Sequence, residues 1–326
     1  MISLDLKDRK ILYHLYLNSR QSYSQIGKKV GLHRNNVIYR VNRLIEKGII
    51  KKFFTSINSF KFGYVYLRFY IKLQYTPPDI KEKIIQSLVE SNFSMAVNIV
   101  EGKYDLTVYM IDIDYLKFKD YWNKFLDKYR NHIADQVFSM FIASDTYPLS
   151  FLLDDKDSEK VKRDKIKKFG DENIPILDNL DVEILKQIEL DARKSTIEIA
   201  KNLKVTSATV NNRITNLLNS GIIKGFKVNI DFSKLGYRIF KIDINLKDRI
   251  EIKDIAKFIT RNPHVRWQGY TIGYVDLEFE VILRNIDELH KFMEEIAKKF
   301  PDSIKDFSYY STIKQVKYTH YPEIVK

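Results

Sequence analysis

From Leu6 to Ser19 the apolar positions Ile11, Leu12 and Leu15 form one stripe of a helix. Asp8 falls in its first turn, where the macrodipole favours an anion. Ser22 and Gln25 have the S-x-x-Q spacing of a capping box, which opens a short helix ending at Val30. Gly31 allows a tight turn. A third helix is predicted from about Arg34 to Lys47, with Val37, Val41 and Leu44 facing the core and Gly48 ending it. The run from Ile49 to Ile57, with the residues after it, predicts two strands of a small basic ribbon. Helix, helix, turn, helix and ribbon make a winged helix-turn-helix.

A different pattern follows. Tyr64 to Leu73 alternates, with Val65, Leu67, Phe69, Ile71 and Leu73 on one side and Tyr66, Arg68, Tyr70 and Lys72 on the other. That predicts a half-buried strand. Pro77 and Pro78 open a helix to about Ser91. Strands follow around Met95 to Val100 and Tyr104 to Ile111, joined at Gly102. A helix from Tyr115 to about Arg130 leads to a last strand, Gln136 to Ala143. The order βαββαβ is that of a ferredoxin-like unit. Its helices cover one sheet face, so the other needs a partner.

Both patterns occur twice. A shift of 173 positions lays Leu177 to Gly236 on Leu4 to Gly63 without a gap. So long a period reads as a duplicated two-domain unit. The expected fold class is α+β: two winged helix-turn-helix domains (1–63 and 177–236), each followed by a ferredoxin-like βαββαβ domain (64–151 and 237–326). Between the halves, 152–176 is highly charged and reads as an extended linker. The second ferredoxin-like strands are expected at Tyr237 to Leu246, Val265 to Thr271, Tyr274 to Leu283 and Lys305 to Tyr318. Its helices are expected at Ile252 to Arg261 and Asp287 to Phe300.

Composition narrows the class. The chain has no cysteine, hence no disulfide framework or thiolate metal site. No stretch approaches the roughly 18 apolar residues of a membrane span. The N-terminus lacks an apolar signal core, so a cytoplasmic protein is expected. The net charge of +13 is unevenly spread. Leu4 to Gly63 has thirteen Lys/Arg against Asp5, Asp8 and Glu46, or +10, whereas Leu177 to Gly236 has nine against seven, or +2. A basic winged unit points to double-stranded DNA.

Projected around the third helix, Asn35, Tyr39 and Asn42 point outward, flanked by Asn36 and Arg43. Asn and Arg can bond bidentately to adenine and guanine edges. Lys51 and Lys52 on the ribbon suit phosphates, and Arg34 opens the helix. Arg40 projects inward and is expected to pair with Asp8. In the copy, Ala208, Asn212 and Thr215 point outward, with Ser207, Thr209 and Asn216 beside them and Lys224 and Lys227 on the ribbon. The open sheet faces also differ. The first carries Tyr66, Arg68, Tyr70, Lys72, Thr107 and Tyr109, and the second Lys241, Asp243, Glu278 and Glu280. Charge complementarity predicts that the first sheet packs on the second.

The run LDLKDRKIL…R-x-S…IGKKVGL…V-x-x-R-V-x-R-L…GIIKKF…FKFG, followed by EGKYDLTVYM, resembles the leucine-responsive regulatory protein family (Lrp/AsnC) in both halves. The resemblance implies a transcription regulator whose ferredoxin-like domains pair sheet to sheet. It also implies homo-oligomers and amino-acid-like effectors bound near that interface. Carried over, the effector positions are Gly102, Tyr104 and Asp105 in one half and Gly273 and Asp276 in the other. A tight turn with a side chain bonding its own backbone is the alternative role for these residues. Departures from the family pattern are His33 and Thr206 where a serine is usual, Glu101 and Ile272 before the turn glycine, and Val275 in place of an aromatic. With two unlike readers in one chain, an asymmetric operator is expected, the first reader dominating affinity.

No nucleophile–base arrangement, P-loop or dinucleotide signature stands out, and no cofactor, metal or membrane partner is expected. The alternative is an enzyme resembling the sirohaem decarboxylases, which use the same two-domain unit. The six histidines (His14, His33, His132, His264, His290 and His320) share no ligand spacing.

Overall fold

The computed structural model describes residues 3–112, 114–163, 167–169, 176–189 and 191–319. His320 and the stretches 164–166 and 170–175 of the expected linker lie outside the described residues. The first unit opens with α1 (Leu6–Leu17), α2 (Tyr23–Val30) and α3 (Arg34–Glu46). Asp5 caps α1 by accepting the Asp8 N–H at 2.8 Å. The capping box of α2 closes both ways between Ser22 and Gln25. Ile11, Leu12, Leu15, Ile26, Val37, Val41 and Leu44 are fully buried, each contributing about 1.5–3 kcal/mol.

Then come β1 (Ile50–Ile57), β2 (Val65–Leu73), α4 (Pro78–Glu90), β3 (Ser94–Gly102), β4 (Leu106–Asp112), α5 (Tyr115–Tyr129) and β5 (Ile133–Thr146). A short helix α6 (Asp155–Glu159) and strand β6 (Lys167–Phe169) lead to the second half. It repeats the order as α7 (Asn179–Glu189), α8 (Thr196–Leu203), α9 (Ser207–Asn219), β7 (Ile223–Ile230), β8 (Arg238–Leu246), α10 (Ile252–Arg261), β9 (Val265–Ile272), β10 (Leu277–Leu283), α11 (Ile286–Lys299) and β11 (Ile304–Tyr318).

The ribbon differs from expectation. Neither winged unit forms a two-stranded ribbon of its own. Each gives one strand, and β1 pairs with β7 antiparallel, Phe53 opposite Val228 and Thr55 opposite Phe226. A strand after a helix carries the same alternation whether its partner is local or distant, so the pattern alone could not separate the two. Reciprocal bonds finish the junction. Asn58 N–H reaches Ile222 O and Asp231 N–H reaches Ile49 O, each at 2.8 Å. Arg20 donates to Ala192 O at 2.6 Å, and its repeat counterpart Arg193 donates to Ser19 O. The two winged units thus meet as the halves of a symmetric dimer do.

The ferredoxin-like units join more completely. Their sheets run β3-β4-β2-β5 and β9-β10-β8-β11, and β3 pairs with β11 while β5 pairs with β9. Eight strands therefore close into an antiparallel barrel, with β6 added outside β5. Closure depends on the long last strands. β5 pairs with β2 through its first part and with β9 through its last, and β11 does the same with β8 and β3. The strand β2, expected to be half buried, is consequently buried on both faces. Helices cover one side and the other half's sheet covers the second.

The segment 152–176 was expected to be extended. Its described part is instead docked. Leu152 and Leu153 pack with Ile11 and Leu12 of α1. Arg163 donates to Thr260 O and Pro148 O at 2.8 Å and to Val265 O at 2.5 Å.

Candidate nucleic-acid interface

The third helix of each winged unit buries one face and exposes the other. Val37, Val41 and Leu44 anchor α3, and Val210, Ile214 and Leu217 anchor α9. Opposite them Arg34, Asn35, Asn36, Tyr39 and Asn42 are exposed, Tyr39 to 66%. On α9 the exposed set is Ala208, Asn212, Thr215 and Asn216, with Ser207 and Thr209 half-buried at the start. Thr206 caps α9 by accepting the Thr209 N–H at 3.1 Å, while His33 caps α3 with a long 3.4 Å bond.

An ion-pair frame holds each helix at its angle. Arg40 reaches Asp8 at 2.8 Å and Asp5 at 2.6 Å, as expected for Asp8. Arg213 reaches Asp178 at 2.6 Å and Asp181 at 3.2 Å. Arg43 differs from the outward role that projection gave it: its guanidinium also bonds Asp8, at 2.6 Å. Projection gives a side chain's direction, and a long arginine reaches back around the helix. Asp8 is buried and taken from two sides, by Arg40 and by Arg43.

The ribbon lysines are also partly engaged. Lys51 stands 3.0 Å from Asp231, and Lys52 lies over the Tyr318 ring. Lys224 is half-buried, and Lys227 is buried, donating to Tyr16 O at 3.3 Å. Burial pushes the Lys227 ammonium down to about 8. Sequence reasoning missed Lys28 and Lys47, which are exposed on α2 and at the end of α3. The signal was their place beside the third helix, read only as background charge.

The turns carried over as effector positions have structural duties. Asp105 accepts the Leu73 N–H at 2.8 Å, and Asp276 accepts the Leu246 N–H at 2.9 Å and an Arg249 bond at 2.8 Å. The backbone they bond belongs to the adjoining strand end, not to their own turn. Gly102 adopts φ +117°, and a Cβ there would meet Tyr309 O at 2.6 Å. Gly273 adopts φ +83° with open space beside it. Tyr104 is buried inside the barrel.

The barrel interior gathers Arg68 of the first open face and Lys241, Asp243 and Glu278 of the second, while Lys72 pairs with Asp105 and Glu280 with Arg266. Arg68 bonds Glu278, Lys241 bonds Glu278 at 2.7 Å and also Asp243, and Tyr274 donates to Asp243 at 2.7 Å. Tyr70 stacks on Tyr274 with ring centres 4.5 Å apart. Arg68, Lys241, Asp243 and Glu278 are each at most 2% exposed. Burial opposes the charged form of Glu278, yet the Arg68 and Lys241 charges outweigh it and hold its carboxyl below the usual range. Tyr274 is pushed up by burial and by the Asp243 charge. The first sheet brings Arg68 and Tyr70, and the second half brings both acids together with Lys241 and Tyr274.

Paired winged units with solvent-facing third helices, carried on a closed barrel of ferredoxin-like units, define the class as a winged-helix DNA-binding fold. The winged helix-turn-helix DNA-binding family matches residues 4–51 and again 177–224. An HTH-type transcriptional regulator of Pyrococcus furiosus is 34% identical over 121 residues, 37% of this chain and 81% of that protein. The regulatory protein AsnC of Haemophilus influenzae is 36% identical over 118 residues, 36% of this chain and 79% of AsnC. The chain belongs to the Lrp/AsnC family. Its fold over nearly its whole length is similar to that of the siroheme decarboxylase NirDL, with a TM-score of 0.60, 11% identity and coverage of 96% of this chain and 93% of that one. At that identity the likeness is one of fold.

Proposed function

We propose that the chain is a sequence-specific transcription regulator that presents two unlike DNA readers from one polypeptide. The observation that carries the reading is the pairing of two winged units through β1 and β7, which leaves α3 and α9 exposed. Asn35, Asn36, Tyr39 and Asn42 are assigned to bases in one half-site, with Arg34, Lys28 and Lys47 on phosphates. Ala208, Asn212, Thr215 and Asn216 are assigned to the other half-site. Asparagine suits adenine, and Ala and Thr methyl groups suit the thymine methyl. The framed arginines Arg40, Arg43 and Arg213 support structure in place of guanine contact.

The sheet pairing that needs two chains in a single-unit protein is completed here within one. Self-association and small-molecule control remain part of the proposal through the family. Footprinting on DNA recovered by selection from a random pool tests the reading. It predicts one oriented site with two dissimilar half-sites. Failure to recover any preferred DNA sinks the proposal.

A decarboxylase-like role has one supporting observation, the full-length fold likeness to NirDL. The described histidines sit on separate parts of the chain, from α1 to α11. Mixing the protein with an iron porphyrin and recording the absorption spectrum separates the readings, because a tetrapyrrole site gives a saturable band shift.

A further inference from the structure

A pocket of about 390 Å³ opens beside the seam between the two winged units. That volume is within the range of small-ligand sites. Arg20 and Lys29 bring its charge, and Leu17 and Phe226 give it an apolar floor. Lys29 donates to Gln21 Oε1 at 2.9 Å, and Gln21 is fixed in turn by donating to His14 O at 2.6 Å. Arg20 donates through Nη1 to Ala192 O across the seam and lies over the Phe226 ring. Its Nε and Nη2 are left for a ligand. All of these partners are neutral, and among the described residues neither cation has a carboxylate in an ion pair. Burial and the Arg193 charge weigh on the Arg20 guanidinium, and Asp191 across the seam offsets them only in part.

The repeat supplies a control. At the matching positions the second half has Asp191 for Asn18, Lys194 for Gln21, Glu198 for Gln25 and Asn202 for Lys29. Its two cations are balanced by two acids, and Lys194 stands 3.6 Å from Glu198. The local hydrogen bonds are nevertheless the same. Asn18 accepts the Arg20 N–H at 3.0 Å, as Asp191 accepts the Arg193 N–H at 3.0 Å. Gln25 and Glu198 give their N–H groups to the caps Ser22 and Ser195. An acid would serve the fold at 18 and 25 as well as an amide does. The amides therefore leave the first pocket with two cations and no acid of its own.

The pocket also faces away from the reading helix. Gly27 packs under the turn into α3, where an added Cβ would meet Leu32 O and Val37 Cγ2. Gln25 and Lys29 are each two residues from Gly27, about 160–200° around α2. We propose that this pocket binds a small phosphate monoester with an apolar organic group, the phosphate on Arg20 and Lys29 and the group over Leu17 and Phe226. Guanidinium and ammonium donors form strong charge-assisted bonds to phosphate oxygens. Such a ligand joins α2 of the first unit to the arginine that clasps the second, and so tightens the seam. The site stands whether or not the chain reads DNA.

Calorimetric titration of the full chain with phenyl phosphate, and separately with inorganic phosphate, at constant ionic strength tests the site. Phenyl phosphate is expected to bind, and inorganic phosphate to bind more weakly. Lys29→Glu, and the double variant Asn18→Asp with Gln25→Glu, should each weaken binding about tenfold or more. The double variant keeps the local bonds that the second half makes with acids, so its Tm without ligand should match that of the parent chain. The site is overturned if phenyl phosphate does not bind, if it binds no tighter than inorganic phosphate, or if binding survives these substitutions. Saturating duplex DNA should leave phenyl phosphate bound. Its displacement would give the pocket to a backbone phosphate and overturn the small-ligand assignment.

Discussion

Position by position, the two readers differ most where they face solvent and largely agree where they face the protein, the pairs Arg43/Asn216 and Phe54/Lys227 being exceptions. Asn35, Tyr39 and Asn42 become Ala208, Asn212 and Thr215, and Arg34 and Lys47 become Ser207 and Ser220. Arg40 and Arg213 keep the same ion pairs, and Arg20 and Arg193 keep the same reciprocal bonds. The barrel repeats the lesson with a twist. Arg68 and its counterpart Lys241 are both cations, but Tyr70 is replaced by Asp243, and the acid Glu278 takes both cations. Two copies of the first sheet would bury two arginines without that acid. Divergence inside the barrel therefore favours unlike pairing, and divergence outside it gives unlike reading.

The largest effect is expected at that shared acid. Glu278→Gln leaves Arg68 buried without its carboxylate and should cost about 3–5 kcal/mol in chemical denaturation. Adding Arg68→Met should recover much of the loss. If Glu278→Gln is nearly neutral, the acid on the second sheet is not what selects unlike pairing. Lys227 sharpens the comparison next, since its counterpart is Phe54. Its folded pKa near 8 lies below the unfolded value of 10.5. Between those pH values the unfolded chain holds more protons, so the penalty is full below pH 8 and fades as pH rises toward 10.5. Lys227→Met should therefore stabilise the fold at pH 7, by up to about 3 kcal/mol, and flatten the pH profile above 8.

Base contacts come third. Asn42→Ala should weaken binding by about 1–3 kcal/mol, with the loss of sequence preference confined to one half-site, and Asn212→Ala should act on the other. Arg34→Ala should reduce the salt slope by about one, whereas Ser207→Ala should leave it unchanged. Equal salt slopes for these two variants would remove the electrostatic difference between readers. The smallest effect is at Lys204, a non-glycine residue at φ +55° where the first repeat has Gly31. Lys204→Gly should raise stability by about 1 kcal/mol, read by thermal unfolding.

Much of this was legible in the chain. Helix stripes, the Ser22–Gln25 capping box and the Arg40–Asp8 pair are local, so spacing alone carries them. The opposition of the two sheet faces was legible from charge. The exchange of β1 and β7 was not, because alternation says that a strand pairs and not with which strand. Barrel closure was hidden for a related reason. The extra length of β5 and β11 looked like strand ends of uncertain reach, although those ends join the two sheets. The docking of Arg163 and of Leu152 and Leu153 was masked by the charge around them, which made the segment look solvated. Arg43 and Lys227 show a further limit. A long cationic side chain placed by helical or strand projection can still reach an interior carboxylate or carbonyl.

Because the chain contains no cysteine, one can be introduced at a chosen place to carry a DNA-cleaving reagent. Glu46 and its counterpart Asn219 are exposed near the ends of α3 and α9. Glu46→Cys and Asn219→Cys, each labelled and bound to the same selected site, give the most direct measurement. Two unlike readers held in one chain predict that the first label cuts one end of the site and the second label cuts the opposite end. Cutting of both ends equally by each label would show that the chain binds in either orientation, and would contradict the account.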